Sequence, residues 1–201
     1  NLNRIVGNDN LPQCAFFGVY DGHGGKRCSH HTSSCLHRSL IEHLESLSLE
    51  ELEDERSVLN CVRQAYVDNE MRWMAKARLQ QMNDGTTAVT ALVLGNRIYV
   101  ANLGDSRLII CSHGGTVRYA TEDHKPDSKR ELERIKAAGG YVKSCGGIPR
   151  VNGDLAVSRA FGDQEYKFTK AGFQGMPISA EPDITIYDLT EEDAFMVLAC
   201  D

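Results

Sequence analysis

Three β-rich runs in the middle of the chain, separated by very short connectors, limit the folds that this sequence can adopt. The runs are TTAVTALVL (86–94), RIYVANL (97–103) and RLIICS (107–112), and the connectors are GN and GDS. Connectors this short join antiparallel neighbours, because parallel strands need a crossover of about a dozen residues or more. The spacing therefore predicts an antiparallel meander. Further β-rich runs are CAFFGVY (14–20), TVRYA (116–120), DITIYDL (183–189) and AFMVLAC (194–200).

Helical patterns lie outside these runs. Residues 26–46 carry apolar side chains at helical spacing, and residues 49–82 predict one long helix or two in sequence. A further helix over 128–138 is closed by a glycine pair. The side chains expected to be buried in the first two regions are Leu36, Leu40, Ile41 and Leu44, and then Leu59, Val62, Tyr66, Met74 and Leu79. Helices among mostly antiparallel strands predict an α+β fold, a β-sandwich with helices packed outside it.

The net charge of the chain argues against two classes of partner. The 201 residues carry a formal net charge of −6, which disfavours nucleic acid and anionic membranes as general partners. No run has the length of a transmembrane helix, and no signal-peptide pattern opens the chain.

The seven cysteines are odd in number and form no C-x-x-C pair, which favours reduced thiols in the cytoplasm or nucleus. One group of possible zinc ligands lies in the first helical region: Cys28, His30, His31 and Cys35. These residues do not have the spacing of zinc-ligand pairs, so a structural role is favoured over zinc binding.

Three of the apolar runs lead directly to an aspartate: CAFFGVY to Asp21, RIYVANLG to Asp105 and AFMVLAC to Asp201. Aspartate often ends a strand simply because it favours turns. Three such acids, with glycines beside the first two, favour a site for a hard divalent cation such as Mg²⁺ or Mn²⁺. His23, in the DGHGG turn, has a side chain suited to proton donation near neutral pH.

Several strings, read in order, resemble the metal-dependent protein serine/threonine phosphatases of type 2C. The strings are VYDGHGG, DGTTAV, VANLGDSR, EDHKPD, ERIKAAGGYV, RVNGDLAVSRAFGD, AEPDI and LACD. Each is weakly specific alone, but the ordered set covers nearly all of the chain from Phe16 onward. The resemblance implies a four-layer α-β-β-α fold, with an antiparallel β-sandwich flanked by helices on both outer faces.

The resemblance also implies roles for individual residues. Asp21 would bridge two Mn²⁺ or Mg²⁺ ions, and the backbone carbonyl of Gly22 would bind one of them. Asp201 would be another ligand, and Asp105 with Asp201 would hold a third, weaker metal. His23 would be the general acid, and Thr87 would lie near this centre. Residues 162–179 would form a flap-like segment that influences substrate choice.

The activity implied is hydrolysis of phosphoserine and phosphothreonine in proteins by metal-activated water, without a covalent enzyme intermediate. His23 would protonate the departing oxygen. The expected molecule is a monomer that acts on phosphoprotein substrates in the cytoplasm or nucleus, with residues 1–201 as a single catalytic domain.

The chain departs from the family pattern at both ends. The upstream arginine that grips phosphate and its neighbouring acid are not found, since Arg4 and Asp9 lie at the wrong distance from Asp21. A late metal-binding aspartate would follow Asp201, so the domain is expected to be incomplete at both ends. Two alternatives stay open: a non-catalytic pseudophosphatase that uses the fold as a docking surface, and a metal hydrolase of another substrate class.

Overall fold

The computed structural model of the protein describes residues 14–167 and 175–201. The strands are β1 (Cys14–Val19), β2 (Gly22–His23), β3 (Gly85–Thr86), β4 (Ala88–Leu94), β5 (Arg97–Leu103), β6 (Arg107–Ser112), β7 (Val117–Ala120), β8 (Val142–Cys145), β9 (Ile148–Val151), β10 (Phe161–Gly162), β11 (Asp183–Asp188) and β12 (Asp193–Ala199). The helices are α1 (Arg27–Glu45), α2 (Leu49–Glu53), α3 (Glu55–Gln80) and α4 (Lys129–Ala137), and a short 3₁₀ turn covers Gln164–Tyr166.

Two antiparallel sheets form the sandwich. The first has the strand order β1-β4-β5-β11, and the second has the order β12-β6-β7. A small three-stranded ladder, β10-β3-β2, lies beside them, and β8 and β9 form a separate hairpin. The predicted α+β class and antiparallel sandwich are confirmed.

The predicted meander is wrong at its third strand. β5 pairs with β4 and β11, whereas β6 pairs with β12 and β7 in the other sheet. The chain leaves the first sheet at Gly104, whose φ is +107°, in the region that favours glycine. A Cβ atom here would lie 2.7 Å from Thr87 Cγ2. The GDS connector is therefore a crossover between sheets rather than a hairpin turn.

The central strands of the first sheet, β4 and β5, are buried on both faces. One face of these strands packs against apolar side chains of β6 and β12 in the second sheet, through Val89, Ala91, Ile98 and Val100. The alternate residues of β4 and β5 face α1 and α3 and form a second core with Leu40, Tyr66 and Trp73, among others. Because side chains alternate across a strand, burial of both faces makes β4 and β5 nearly continuous apolar runs. On the outer face of the second sheet, Phe195 and Val197 are exposed.

The helical predictions are largely confirmed. The region 49–82 forms two helices, separated at Asp54, whose carboxylate accepts the Ser57 N–H at 2.9 Å and caps α3. The buried positions of α1 are as expected, and Val62 and Tyr66 are buried in α3. None of the described helices is both long and apolar enough to cross a bilayer.

Leu79 was expected to be buried, but 86% of its surface is exposed. The buried stripe of α3 runs through Asn69, Trp73 and Ala77, four residues apart. Leu79 lies two residues after Ala77, and this offset turns its side chain away from the core. Leu59 and Met74, also predicted as buried, are only partly buried against the core.

Candidate active site

Strand topology brings the three strand-ending aspartates to one end of the sandwich. β1 and β5 both pair antiparallel with β4, so they run in the same direction and end at the same edge. β6 starts at that edge, directly after Asp105, and β12 returns to it, with Ala199 opposite Arg107. Asp21, Asp105 and Asp201 therefore follow strand ends on the same side of the molecule.

Negative charge is concentrated around Asp21. Partial burial and the charges of Asp201 and Asp105 raise the pKa of the Asp21 carboxyl above its ordinary value, although His23 acts in the opposite direction. The side chain of Asp201 lies close enough to that of Asp21 to contribute to this rise. Carboxylates this close repel one another when all are ionised.

Residues of the EDHKPD segment (122–127) hold the turn that carries Asp105. His124 Nδ1 accepts the Gly104 N–H at 3.0 Å, and its Nε2 donates to Asp183 Oδ2 at 3.1 Å. Burial and the nearby Arg159 guanidinium lower the pKa of His124, which agrees with a neutral ring that both accepts and donates. Lys125 Nζ lies 2.5 Å from Asp105 Oδ2 and forms an ion pair with it.

The backbone of Asp21 is held by the threonine pair of the DGTTAV string. The Thr87 N–H donates to the Asp21 carbonyl at 2.9 Å, and the Thr86 hydroxyl donates to the same carbonyl at 3.0 Å. Thr87 Oγ1 accepts the Asp21 N–H at 3.3 Å and lies 2.6 Å from Ser106 Oγ. Thr87 thus links the turns that carry Asp21 and Asp105. The next residue, Gly22, pairs with Thr86 in the small ladder.

His23 is partly buried in strand β2 and faces a carboxylate that the sequence analysis did not assign. Its Nε2 lies 2.9 Å from Asp163 Oδ1 and 2.8 Å from Asp163 Oδ2. Burial opposes protonation, but the hydrogen bond and charge of Asp163, with the charges of Asp21 and Asp105, outweigh it and raise the pKa of His23. Asp163 ends the RVNGDLAVSRAFGD string, so the resemblance marked its segment, but no local spacing predicts a partner 140 residues away.

A cavity of about 420 Å³ opens beside the carboxylates. Its charged lining consists of Asp105, Asp123 and Asp201 together with Arg107 and Lys125. Arg107 pairs with Asp123 in a two-pronged contact at 3.0 and 2.9 Å. The cavity therefore places carboxylate oxygens suited to a cation beside two cationic groups, each of which is paired with one of those carboxylates.

The donor set fits a hard divalent cation. The three carboxylates and the Gly22 carbonyl are all oxygen donors, which Mg²⁺ and Mn²⁺ prefer, and a cation would relieve the repulsion around Asp21. In residues 14–167 and 175–201, no three His, Cys, Asp or Glu side chains form a ready-made metal cage. The Lys125 ammonium occupies one oxygen of Asp105, so a metal would have either to displace it or to bind the other oxygen.

Part of the flap-like segment lies outside the described residues, as do Arg4 and Asp9. The part of the segment up to residue 167 is anchored: Lys167 Nζ donates to Glu70 Oε1 at 2.7 Å and to the Ala160 carbonyl at 2.6 Å.

All seven cysteines lie in the described residues, and none of them forms a disulfide.

A profile of the family described as protein phosphatase 2C matches residues 3–201. The chain belongs to this family. The resemblance inferred from the sequence strings is thereby confirmed.

Relatives within the protein phosphatase 2C family are longer than this chain. Probable protein phosphatase 2C 57 of Oryza sativa subsp. japonica is 37% identical over 188 residues, which cover 93% of this chain and 48% of the relative. Protein phosphatase 1B of Homo sapiens is 39% identical over 204 residues, covering 95% of this chain and 40% of the relative. The chain thus spans half or less of the length of these two relatives.

Solved structures match the same fold. A C. elegans sex determining protein has a TM-score of 0.81 at 28% identity, covering 93% of this chain and 43% of that one. Serine-threonine phosphatase 2C from Toxoplasma gondii has a TM-score of 0.78 at 25% identity, covering 95% of this chain and 69% of that one. The sandwich described above is therefore the protein phosphatase 2C fold.

Proposed function

We propose that this chain supplies the catalytic domain of a metal-dependent phosphatase that hydrolyses phosphoserine and phosphothreonine in proteins. The observation that carries the proposal is that Asp21, Asp105 and Asp201 follow strand ends at one end of the sandwich, where their charges influence one another and His23. Membership of the protein phosphatase 2C family supports the same reaction class.

The metal-binding residues in this proposal are Asp21, Asp105 and Asp201 with the Gly22 carbonyl, and the metals are two Mn²⁺ or Mg²⁺ ions with a weaker third. Bound metals would activate water and offset the negative charge of the phosphate. His23 gives a proton to the departing serine or threonine oxygen, a role that typically contributes on the order of 10²–10⁴-fold to the rate. Lys125 and Arg107 also line the cavity, where each is paired with a carboxylate that a bound metal or the phosphate could compete for.

The proposed protein is a monomer that acts on phosphoprotein substrates in the cytoplasm or nucleus. Its seven free cysteines support a compartment that keeps thiols reduced. Light scattering of the purified protein tests the monomer, and a fluorescent fusion tests the location.

The proposal is tested on the whole protein with a phosphothreonine peptide. We expect phosphate release with Mn²⁺ or Mg²⁺ and none with excess chelator, and we expect His23→Ala to slow release 10²–10⁴-fold. An exposed Asp188→Asn variant, at the opposite end of the first sheet, should retain wild-type activity. No release at saturating metal, or release that is insensitive to chelator, would refute the proposal.

A second candidate is a non-catalytic docking module with the same fold. The ion pair between Lys125 and Asp105, which ties up one of the proposed ligands, favours this alternative. Capture of a phosphoprotein that survives both chelation and Asp21→Ala, together with absence of turnover, would support it. Loss of capture on chelation would count against it.

A further inference from the structure

His23 and Asp163 form an isolated pair next to the proposed metal centre. The Asp163 side chain is only 4% exposed, and both of its oxygens lie within 2.9 Å of His23 Nε2. Among the side chains of residues 14–167 and 175–201, only His23 is hydrogen-bonded to this carboxylate. A buried carboxylate normally has a specific partner, and the imidazole fills that role here.

The pair meets across a strand that has no side chain at the crossing point. In the small ladder Gly85 pairs with His23 on one side and with Gly162 on the other. A Cβ atom at Gly85 would lie 2.2 Å from His23 Nε2 and 2.4 Å from each Asp163 oxygen. Any larger residue at position 85 would therefore push the two groups apart.

The backbone of Asp163 is anchored on its own side of the ladder. Its backbone has a φ of +52°, which aspartate tolerates better than most residues. Its N–H donates to the Asp84 carbonyl at 3.3 Å, and the preceding Gly162 N–H donates to Glu70 Oε2 at 3.0 Å. The carboxylate thus offers a fixed acceptor to a histidine that lies in a two-residue strand.

We propose that Asp163 is a positioning residue that accepts the Nε2–H of the protonated His23 ring and orients the ring so that its Nδ1–H is the proton available for donation. The inference rests on the proposed function, in which His23 is the proton donor. A carboxylate that accepts the Nε2–H of a histidine fixes which nitrogen remains available. In residues 14–167 and 175–201, no group hydrogen-bonds Nδ1.

In the proposed hydrolysis, His23 acts only as a proton carrier. Water supplies the oxygen that forms the new bond to phosphorus, and the phosphorus–oxygen bond to serine or threonine breaks. The electron pair of that bond goes to the departing oxygen, which takes the proton from His23 Nδ1. The ring is left neutral with its Nε2–H still donated to Asp163. One proton of the attacking water stays on the phosphate product and the other is released to solvent, and solvent returns one proton to Nδ1, so the ring ends as it began.

Leaving-group dependence separates this role from a purely structural one. Alkoxide leaving groups need a proton, whereas p-nitrophenolate leaves readily without one. In the metal-loaded whole protein we expect Asp163→Ala to lower kcat for a phosphothreonine peptide about 10–100-fold. For p-nitrophenyl phosphate we expect a change of less than about threefold in kcat, with KM little changed for both substrates. Asp163→Asn, which keeps an acceptor, should recover part of the peptide activity.

A double variant makes the test decisive. If Asp163 acts through His23, Asp163→Ala should cause no further loss with the peptide once His23 is alanine. Equal losses on both substrates, or additive losses in the double variant, would overturn the inference. If Asp163→Ala does not fold, the partial loss in Asp163→Asn and its disappearance in the His23→Ala background provide the same test.

Failure of the proposed function would give a different result. If wild-type turnover does not depend on metal, the proposed function fails whatever Asp163 does. If His23→Ala itself shows no leaving-group dependence, the assignment of His23 as proton donor fails. The Asp163 inference alone fails when His23→Ala shows that dependence and neither Asp163 variant does.

Discussion

At Asp21, the backbone and the side chain have separate tasks. Its N–H and carbonyl are satisfied by Thr87 and Thr86, while its carboxyl lies near those of Asp105 and Asp201. A change confined to the carboxyl should therefore leave the turn intact. This separation allows the proposed metal role to be tested without disturbing the fold.

We expect Asp21→Asn to weaken Mn²⁺ binding by more than the 10–100-fold that is typical of removing an outer-shell partner. Isothermal titration calorimetry with Mn²⁺ measures the change, and Asp188→Asn provides the same loss of charge on an exposed residue far from the site. Unchanged Mn²⁺ affinity in Asp21→Asn would contradict the ligand assignment.

The same variant has a second expected effect when metal is absent. The folded-state pKa of Asp21 is raised, so its ionised form destabilises the metal-free fold, and this destabilisation grows as the pH rises above the ordinary range for aspartate. Asp21→Asn should therefore leave the metal-free protein at least as stable as wild type at pH 7. A thermal melt with chelator checks this expectation.

Helix α3 is joined to the first sheet by one buried phenol as well as by apolar packing. Tyr66 is 1% exposed, its hydroxyl lies 2.9 Å from Thr90 Oγ1 on β4, and it donates to the Ala101 carbonyl on β5 at 3.3 Å. The ring also packs against Phe161, with the centroids 5.1 Å apart. This contact links the helix layer to two strands and to the small ladder that carries the candidate site.

We expect Tyr66→Phe to lower the free energy of unfolding by about 1 kcal/mol, because it removes a buried hydrogen bond but keeps the ring. Thr90→Val removes the other partner at nearly the same volume. The double variant should lose less than the sum of the two single variants, since neither partner is then left unpaired. Urea unfolding of the four proteins gives the coupling energy, and a value below about 0.3 kcal/mol would contradict the contact.

Across the whole molecule, a buried ion network joins α4 to the chain around β10 and β11. Glu131 Oε1 accepts from Arg159 Nη2 at 2.6 Å, and its Oε2 accepts from Arg134 at 2.9 Å and from Ser158 at 2.8 Å. Arg159 also pairs with Asp183. Burial opposes ionisation of Glu131, but its hydrogen bonds and the arginine charges outweigh burial and lower its pKa to about 2.

This network predicts a particular loss of stability in acid. The folded pKa of Glu131 is below its unfolded value, so the unfolded chain binds more protons between about pH 4.5 and pH 2. The stabilisation is complete above that window and is lost as the pH falls through it, with a magnitude on the order of 3 kcal/mol.

We therefore expect the stability of Glu131→Gln to depend less on pH in this window than that of wild type. Guanidinium unfolding from pH 7 to pH 2 measures the difference. Glu133→Gln removes the same charge from an exposed position on the same helix and should follow the wild-type curve. A Glu131→Gln curve parallel to wild type would refute the assignment.

Much of the fold follows from local pattern. Alternation and apolar runs predict β1, β4, β5 and β12, and helical spacing predicts α1, because burial of one or both faces leaves a periodic trace in the sequence. The two-residue strands β2, β3 and β10 leave no such trace. They exist because tertiary packing brings their backbones together, and a run of two residues has no period.

The same limit explains two of the errors. Leu79 fits a helical pattern, but which stripe of α3 is buried depends on where the sheet lies. β6 looks like the third strand of a meander, but the backbone at Gly104 directs it into the other sheet. In both cases the residue pattern is compatible with two arrangements, and the choice depends on packing elsewhere in the molecule.

By itself, the sequence determined that Asp21, Asp105 and Asp201 follow strand ends, because apolar runs and adjacent turn residues specify where each strand stops. Only the tertiary structure decided that these ends share one edge, that Lys125 pairs with Asp105, and that Asp163 pairs with His23. The last two residues are 140 positions apart. A contact of that kind depends on the path of the whole chain, and no local periodicity encodes it.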